Sequence, residues 1–168
     1  MNWPDNRQIL LTTDMSRKAE ALTFTICETC LGWIGVVGSP DGLKKVILPL
    51  KSKEAVLDQV KRCGCEAAGH HSIYFADLAN RIRRYFDGEP VEFADKLDLS
   101  GTTRFQRDVW RTVRNIPRGQ TRSYGWVASQ LGLTGGARAV GQALGRNPLP
   151  IVIPCHRVIG SDGKLGGF

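Results

Sequence analysis

The chain has 168 residues, a net charge of +7 and 42% hydrophobic side chains, which is enough apolar content to bury a core and too much for a disordered basic tail. The charge is uneven: residues 1–99 hold 13 Lys and Arg against 14 Asp and Glu, whereas residues 100–168 hold 10 against 2, a net of +8. A neutral half joined to a basic half points to an acidic polymer as partner. No run approaches the roughly 18 apolar residues of a membrane span, and Met1, Asn2, Trp3, Pro4 and Asp5 do not begin a secretory signal. Five cysteines, an odd number, then read as reduced thiols of a cytoplasmic protein rather than a disulfide framework.

Residues 1–20 show no steady periodicity and are expected to form a loose extension. Short runs rich in β-formers follow at Leu22 to Cys27, Gly32 to Val37 and Leu43 to Leu48, and the turn-forming link Gly38-Ser39-Pro40-Asp41-Gly42 predicts a hairpin between the last two. Residues 51–62 carry Ala55, Val56, Gln59 and Val60 at helical spacing. Residues 72–86 place Ile73, Leu78, Ile82, Tyr85 and Phe86 along one face of a second helix, closed by Gly88 and Pro90. These elements predict an α+β unit over residues 21–95.

A polar connector over residues 93–103 leads into a part of different character, assigned to a second domain over residues 96–168. Thr102 or Thr103 can cap a helix from Arg104 to Ile116, with Phe105, Val109, Trp110, Val113 and Ile116 as its apolar stripe. Ser123 can cap a second helix that stops at Gly132. Gly135-Gly136 opens a third, Ala137 to Gly145, so that two short helices joined by a tight turn outline a helix-turn-helix. Ile151-Val152-Ile153 is predicted as a brief buried strand running into Pro154-Cys155-His156-Arg157.

The third helix lacks the row of long polar side chains with which a major-groove reader meets base edges. Ala137, Ala139, Gly141, Ala143 and Gly145 are small, and only Arg138, Gln142 and Arg146 reach outward. Such a helix either packs tightly on another helix or lets its backbone approach another surface closely, with one Arg inserted as a wedge. The surrounding Arg excess leans toward nucleic acid.

Cys155 stands apart from the other four cysteines, because it follows an apolar run and a Pro and adjoins His156 and Arg157. Only a thiolate is a good nucleophile, and a nearby base or cation helps a thiol of pKa about 8.5 to ionise. Neighbours on a regular strand face opposite ways, so Cys155 and His156 require a turn or a bridging water to cooperate. An isolated buried cysteine would be inert; Pro-Cys-His-Arg is far more specific. A cysteine hydrolase fits poorly, for want of a separate His and Asn or Asp set.

Residues 100–168 resemble the O6-alkylguanine-DNA alkyltransferases, also called methylated-DNA–protein-cysteine methyltransferases. The resemblance runs through Phe105-Gln106-Arg107-Asp108-Val109-Trp110, then Ile116-Pro117-Arg118-Gly119-Gln120-Thr121-Arg122-Ser123-Tyr124-Gly125. It continues through Ala137-Arg138-Ala139-Val140-Gly141, Asn147-Pro148 and Ile153-Pro154-Cys155-His156-Arg157-Val158-Ile159-Gly160. Residues from about Leu22 onward match more loosely, through the hairpin and Arg84-Tyr85-Phe86-Asp87-Gly88.

This resemblance implies a ribonuclease H-like N-terminal domain followed by a winged helix-turn-helix C-terminal domain. It implies transfer of an alkyl group from guanine O6 in double-stranded DNA to Cys155, once per molecule, by a monomer without a cofactor. Cys155 would be the nucleophile, His156 would take its proton through a water, and Tyr124 would contact the flipped base and its phosphate. Asn147 would brace the turn next to the active-site strand. Arg138 would fill the gap in the base stack, on a minor-groove helix that also presents Ala137, Gly141, Gln142 and Arg146. The family's pattern continues past Phe168 with a Lys-containing helix and a Glu that orients the active-site His. That carboxylate lies outside this sequence, which leaves a non-enzymatic lesion-binding protein of the same fold as the alternative. Cys27, Cys30, Cys63 and Cys65 with His70 and His71 outnumber the four ligands zinc needs, although Cys63-Gly64-Cys65 is a poor clamp, so no metal is assigned.

Overall fold

The computed structural model describes residues 22–65 and 72–164, with the side chains of residues 72–74 left aside. The expected loose extension over residues 1–20 and the residues beyond Lys164 lie outside them. Three strands, β1 (Thr23–Thr29), β2 (Gly32–Ser39) and β3 (Gly42–Leu50), form an antiparallel sheet in the order β1-β2-β3. The predicted hairpin is present, and Ser39 pairs with Gly42 across a two-residue Pro40-Asp41 turn.

Helices cover both faces of this sheet. Helix α1 (Lys53–Arg62) is capped by Ser52, whose side chain accepts from the Ala55 amide. It packs Val56 and Val60 against Phe24, Ile26, Val37 and Ile47. Gly35 makes that approach possible, since a Cβ there would lie 2.7 Å from the Val56 side chain. Helix α2 (Ser72–Phe86) covers the opposite face, bringing Leu78 and Ile82 onto Ile34 and Val36.

The second core layer is continuous with the basic half. Leu78 and Ile82 share one buried cluster with Val109, Trp110 and Val113 of α3 (Arg104–Arg114), with Val140 and Leu144 of a later helix, and with Ile153. Thr103, not Thr102, caps α3 through a reciprocal capping box with Gln106. Trp110, 1% exposed, donates its indole N–H to the Ala143 carbonyl at 3.0 Å and so fixes α3 against that later helix. The connector ahead of α3 is less irregular than its polar sequence suggests. Leu43 and Leu97 form a parallel bridge, in which Leu43 N–H donates to Lys96 O and Asp98 N–H donates to Leu43 O.

Strand β4 (Arg122–Ser123), α4 (Tyr124–Gln130), α5 (Ala137–Leu144) and β5 (Val158–Ile159) complete the order, with a single 3₁₀ turn at Cys155–Arg157. Ser123 caps α4 by accepting from the Trp126 amide, as its position predicts. The parallel pair β4–β5, only two residues long, has no signature in the sequence. The predicted strand at Ile151–Ile153 is not one. Ile151 has φ +76°, and only an isolated bridge joins Pro150 to Ile153. Pro148 and Pro150 remove amide donors from this stretch, and it folds into a buried turn whose apolar side chains imitate a strand in composition.

Candidate functional site

The turn that carries Cys155 is assembled from four directions. Asn147 donates its amide to the Ile153 carbonyl at 2.9 Å and accepts the Leu149 N–H at 2.9 Å, closing the loop between α5 and the 3₁₀ turn. The same Ile153 carbonyl accepts the Cys155 N–H at 2.8 Å, so one oxygen links Asn147 to the cysteine backbone. Val46 N–H of β3 donates to Pro148 O at 2.9 Å, tying the N-terminal sheet to this loop. From the far side, Arg157 donates to the Ile116 carbonyl at 2.7 Å, and β5 pairs with β4 immediately before Tyr124.

Within this frame Cys155 is half-buried and His156 follows it in the one-turn helix. The turn that cooperation between adjacent residues requires is therefore present. His156 keeps an exposed edge, yet desolvation by the atoms around it, and then the positive charge of Arg157, hold its imidazole below the ordinary value. A neutral imidazole can accept a proton; an imidazolium cannot.

The structure adds a residue that the sequence did not single out for this site. Tyr85, near the end of α2, places its hydroxyl 2.9 Å from His156 Nε2 across 71 residues of chain. Its ring meets Phe93 and Phe86 edge-on, with centroids 5.8 and 6.0 Å away. The only advance sign was Tyr85's place on the apolar face of α2, in the Arg84-Tyr85-Phe86-Asp87-Gly88 segment.

Beside this turn lie α4 and α5. Tyr124 opens α4, and its ring lies against Gly141 of α5, where a Cβ would sit 3.7 Å from it. Arg138, Gln142 and Arg146 are exposed, Ala137 and Gly141 are partly so, and Val140, Ala143 and Leu144 face the core. Both readings of the small-residue helix thus have a place: one side packs, the other is open.

The arginine excess divides into three groups, of which Arg104 and Arg111, both facing Asp108 on α3, are one. Arg107, Arg114, Arg118 and Arg157 each donate to a backbone carbonyl, of Thr102, Phe93, Gly88 and Ile116 in turn, and Arg122 lies over the Trp126 ring. These guanidiniums hold loops together. Arg138 instead projects from α5, and Arg146 is exposed just past its C-cap Gly145.

The structure does not gather the cysteines considered for a metal. Cys27 packs with the cluster on the α2 face and its thiol faces Ala79 O, whereas Cys63 and Cys65 belong to the cluster under α1. Among the described residues no three His, Cys, Asp or Glu side chains come together as ligands, and His70 and His71 lie outside those residues. No described helix is long and apolar enough to cross a membrane.

Residues 104–168 match the family model of the 6-O-methylguanine DNA methyltransferase DNA-binding domain. A methylated-DNA–protein-cysteine methyltransferase of Mycolicibacterium paratuberculosis is 55% identical over 94 residues, which is 56% of either chain, so the match spans about half the length of that relative. The namesake protein of Methanosarcina acetivorans is 39% identical over 145 residues, covering 86% of this chain and 88% of its own. The crystal structure of Mycobacterium tuberculosis OGT in complex with DNA superposes with a TM-score of 0.70 at 37% identity, over 87% of this chain and 83% of the other.

Proposed function

The chain belongs to the methylated-DNA–protein-cysteine methyltransferase family, and on that premise we propose that it repairs O6-alkylguanine in double-stranded DNA by direct alkyl transfer to Cys155. The observation that carries this reading is the braced 3₁₀ turn, in which a half-buried thiol directly precedes an imidazole. His156 takes the Cys155 proton through a water. The thiolate attacks the alkyl carbon, an S–C bond forms, the C–O6 bond breaks, and the proton returns to the departing guanine. The thioether is stable, so each molecule acts once.

A base inside a duplex cannot present O6 to a half-buried thiol, and leaving the stack costs a few kcal/mol. Arg138 fills the vacated position in the stack. Ala137, Gly141, Gln142 and Arg146 lie along the minor groove, Tyr124 meets the rotated phosphate and the base, and Asn147 holds the turn. Phosphate contacts of this kind bind without reading sequence, which suits a lesion that occurs anywhere. In fold terms, the sheet with its helices is read as a ribonuclease H-like unit over residues 21–95, and residues 96–168 as a winged helix-turn-helix. The protein acts as a monomer, and its five free thiols suit the cytoplasm. A purely lesion-binding role is disfavoured, because it leaves the Cys155–His156 pair without a task.

The test is intact mass after incubation with a duplex containing O6-methylguanine. The wild-type chain gains one methyl group and Cys155→Ala gains none. An unchanged wild-type mass in the presence of lesion-specific binding would replace this reading with the binding protein.

A further inference from the structure

A neutral imidazole carries its one proton on either Nδ1 or Nε2, and only the other nitrogen can act as a base. The partner of the protonated nitrogen therefore decides which nitrogen is basic. Among the described residues, His156 has one side-chain hydrogen-bond partner, the Tyr85 hydroxyl at 2.9 Å from Nε2. A phenol can accept or donate at that distance. If it donated, Nδ1 would hold the proton and neither nitrogen would be open to the thiol. If it accepts, Nε2 holds the proton and Nδ1 keeps its lone pair.

We propose that Tyr85 is a positioning residue for the alkyl transfer, its hydroxyl accepting the Nε2–H of His156 so that Nδ1 remains the base for Cys155. This rests on the reaction proposed above. The tyrosine is well held for such a task. Phe86 and Phe93 meet its ring edge-on, and the His156 ring lies 6.3 Å away at a 61° interplanar angle. Among the described residues, the charged group acting on the imidazole is Arg157 of its own turn. The α+β half of the chain, neutral and remote in sequence, thereby supplies a group to the chemistry of the basic half.

Two measurements on the full chain test this, with Tyr85→Phe as the variant because it keeps the ring and its packing. Two-bond ¹H–¹⁵N spectra of the imidazoles, with the His156 signals identified by their loss in His156→Gln, report the tautomer without any substrate. The wild type is expected as the Nε2–H form and Tyr85→Phe as a mixture. Single-turnover transfer from a methylated duplex is expected to slow about three- to tenfold in Tyr85→Phe, the effect of one hydrogen bond, with duplex affinity unchanged. That deficit should shrink at alkaline pH, where hydroxide can replace the imidazole as the base. A merely structural role would slow transfer equally at every pH. An Nδ1–H tautomer in the wild type, or an unchanged tautomer and rate in Tyr85→Phe, would overturn the role of Tyr85 while leaving the reaction standing. The expected tautomer in a wild-type protein that transfers no methyl group would overturn the reaction and uphold the contact.

Discussion

Replacing Asn147 by Ala removes two hydrogen bonds at once, the one to Ile153 O and the one from Leu149 N–H, both 2.9 Å. Leu149 and Ile153 are both 0% exposed, so water cannot take over these contacts without opening the loop. Two bonds at about 1 kcal/mol each, plus the cost of leaving the Leu149 amide unpaired, give about 2–4 kcal/mol. For a chain of this length that corresponds to a fall in melting temperature of roughly 5–12 °C. Asn147→Asp separates the two bonds: it still accepts from Leu149 but no longer donates to Ile153, so it should fall between Ala and the wild type. Because Ile153 O also receives the Cys155 amide, both variants should lose single-turnover transfer rate even at temperatures where they remain folded. Thermal denaturation followed by circular dichroism, with transfer measured 15 °C below each midpoint, checks both parts. An Asn147→Ala protein with wild-type melting and wild-type rate would show that the loop holds its shape without this side chain.

Three further outcomes follow from the same geometry. Arg138→Ala should slow repair of O6-methylguanine in duplex DNA more than reaction with the free alkylated base, since a stack-filling residue matters only where there is a stack; equal slowing would remove that role. Asp98, 6% exposed, would have its carboxyl pushed up by burial, but hydrogen bonds from Ser100 and Ser39 and the ion pair with Lys44 hold it well below the usual carboxylate range. Its contribution is therefore present above the ordinary Asp pKa of about 3.9 and lost as pH falls below it. Urea denaturation between pH 5 and pH 2 should show Asp98→Asn losing less stability than the wild type, and parallel losses would contradict the assignment. Burial and Arg157 lower the basicity of His156, so the imidazole takes up its proton at a lower pH than an ordinary histidine of about 6.5. The acid limb of the transfer rate should then lie below that value; an inflection above it would mean that His156 is not the base.

What could be read in the sequence, and what could not, follows the range of the interactions. Caps at Thr103 and Ser123 are local chemistry, involving side chains three residues from the amides they bind, and the order of residues shows them, with Thr102 and Thr103 left open as alternatives. The candidate site is legible because Pro154, Cys155, His156 and Arg157 are contiguous, although their 3₁₀ turn is not. Ile151–Ile153 reads as a strand yet forms a turn, because an apolar run reports burial without reporting backbone direction, and the prolines around it and the Asn147 bonds set that direction. Strands β4 and β5 are too short for any alternation to register. The contact between Tyr85 and His156 spans 71 residues, and no local pattern encodes it. The charge excess was legible as a total but not in its division, since several of the arginines that suggested a DNA surface are occupied in bonding backbone carbonyls.

The central claim concerns one thiol among five free cysteines, Cys27, Cys30, Cys63, Cys65 and Cys155. Its most direct test is to incubate the full chain with a duplex carrying one O6-methylguanine, digest the product, and locate the methyl group by peptide mass spectrometry. The account predicts a single methyl on the peptide containing Cys155, up to one per molecule, with restored guanine in the DNA. A methyl group on any other cysteine, or restored guanine with Cys155 unmodified, would contradict it.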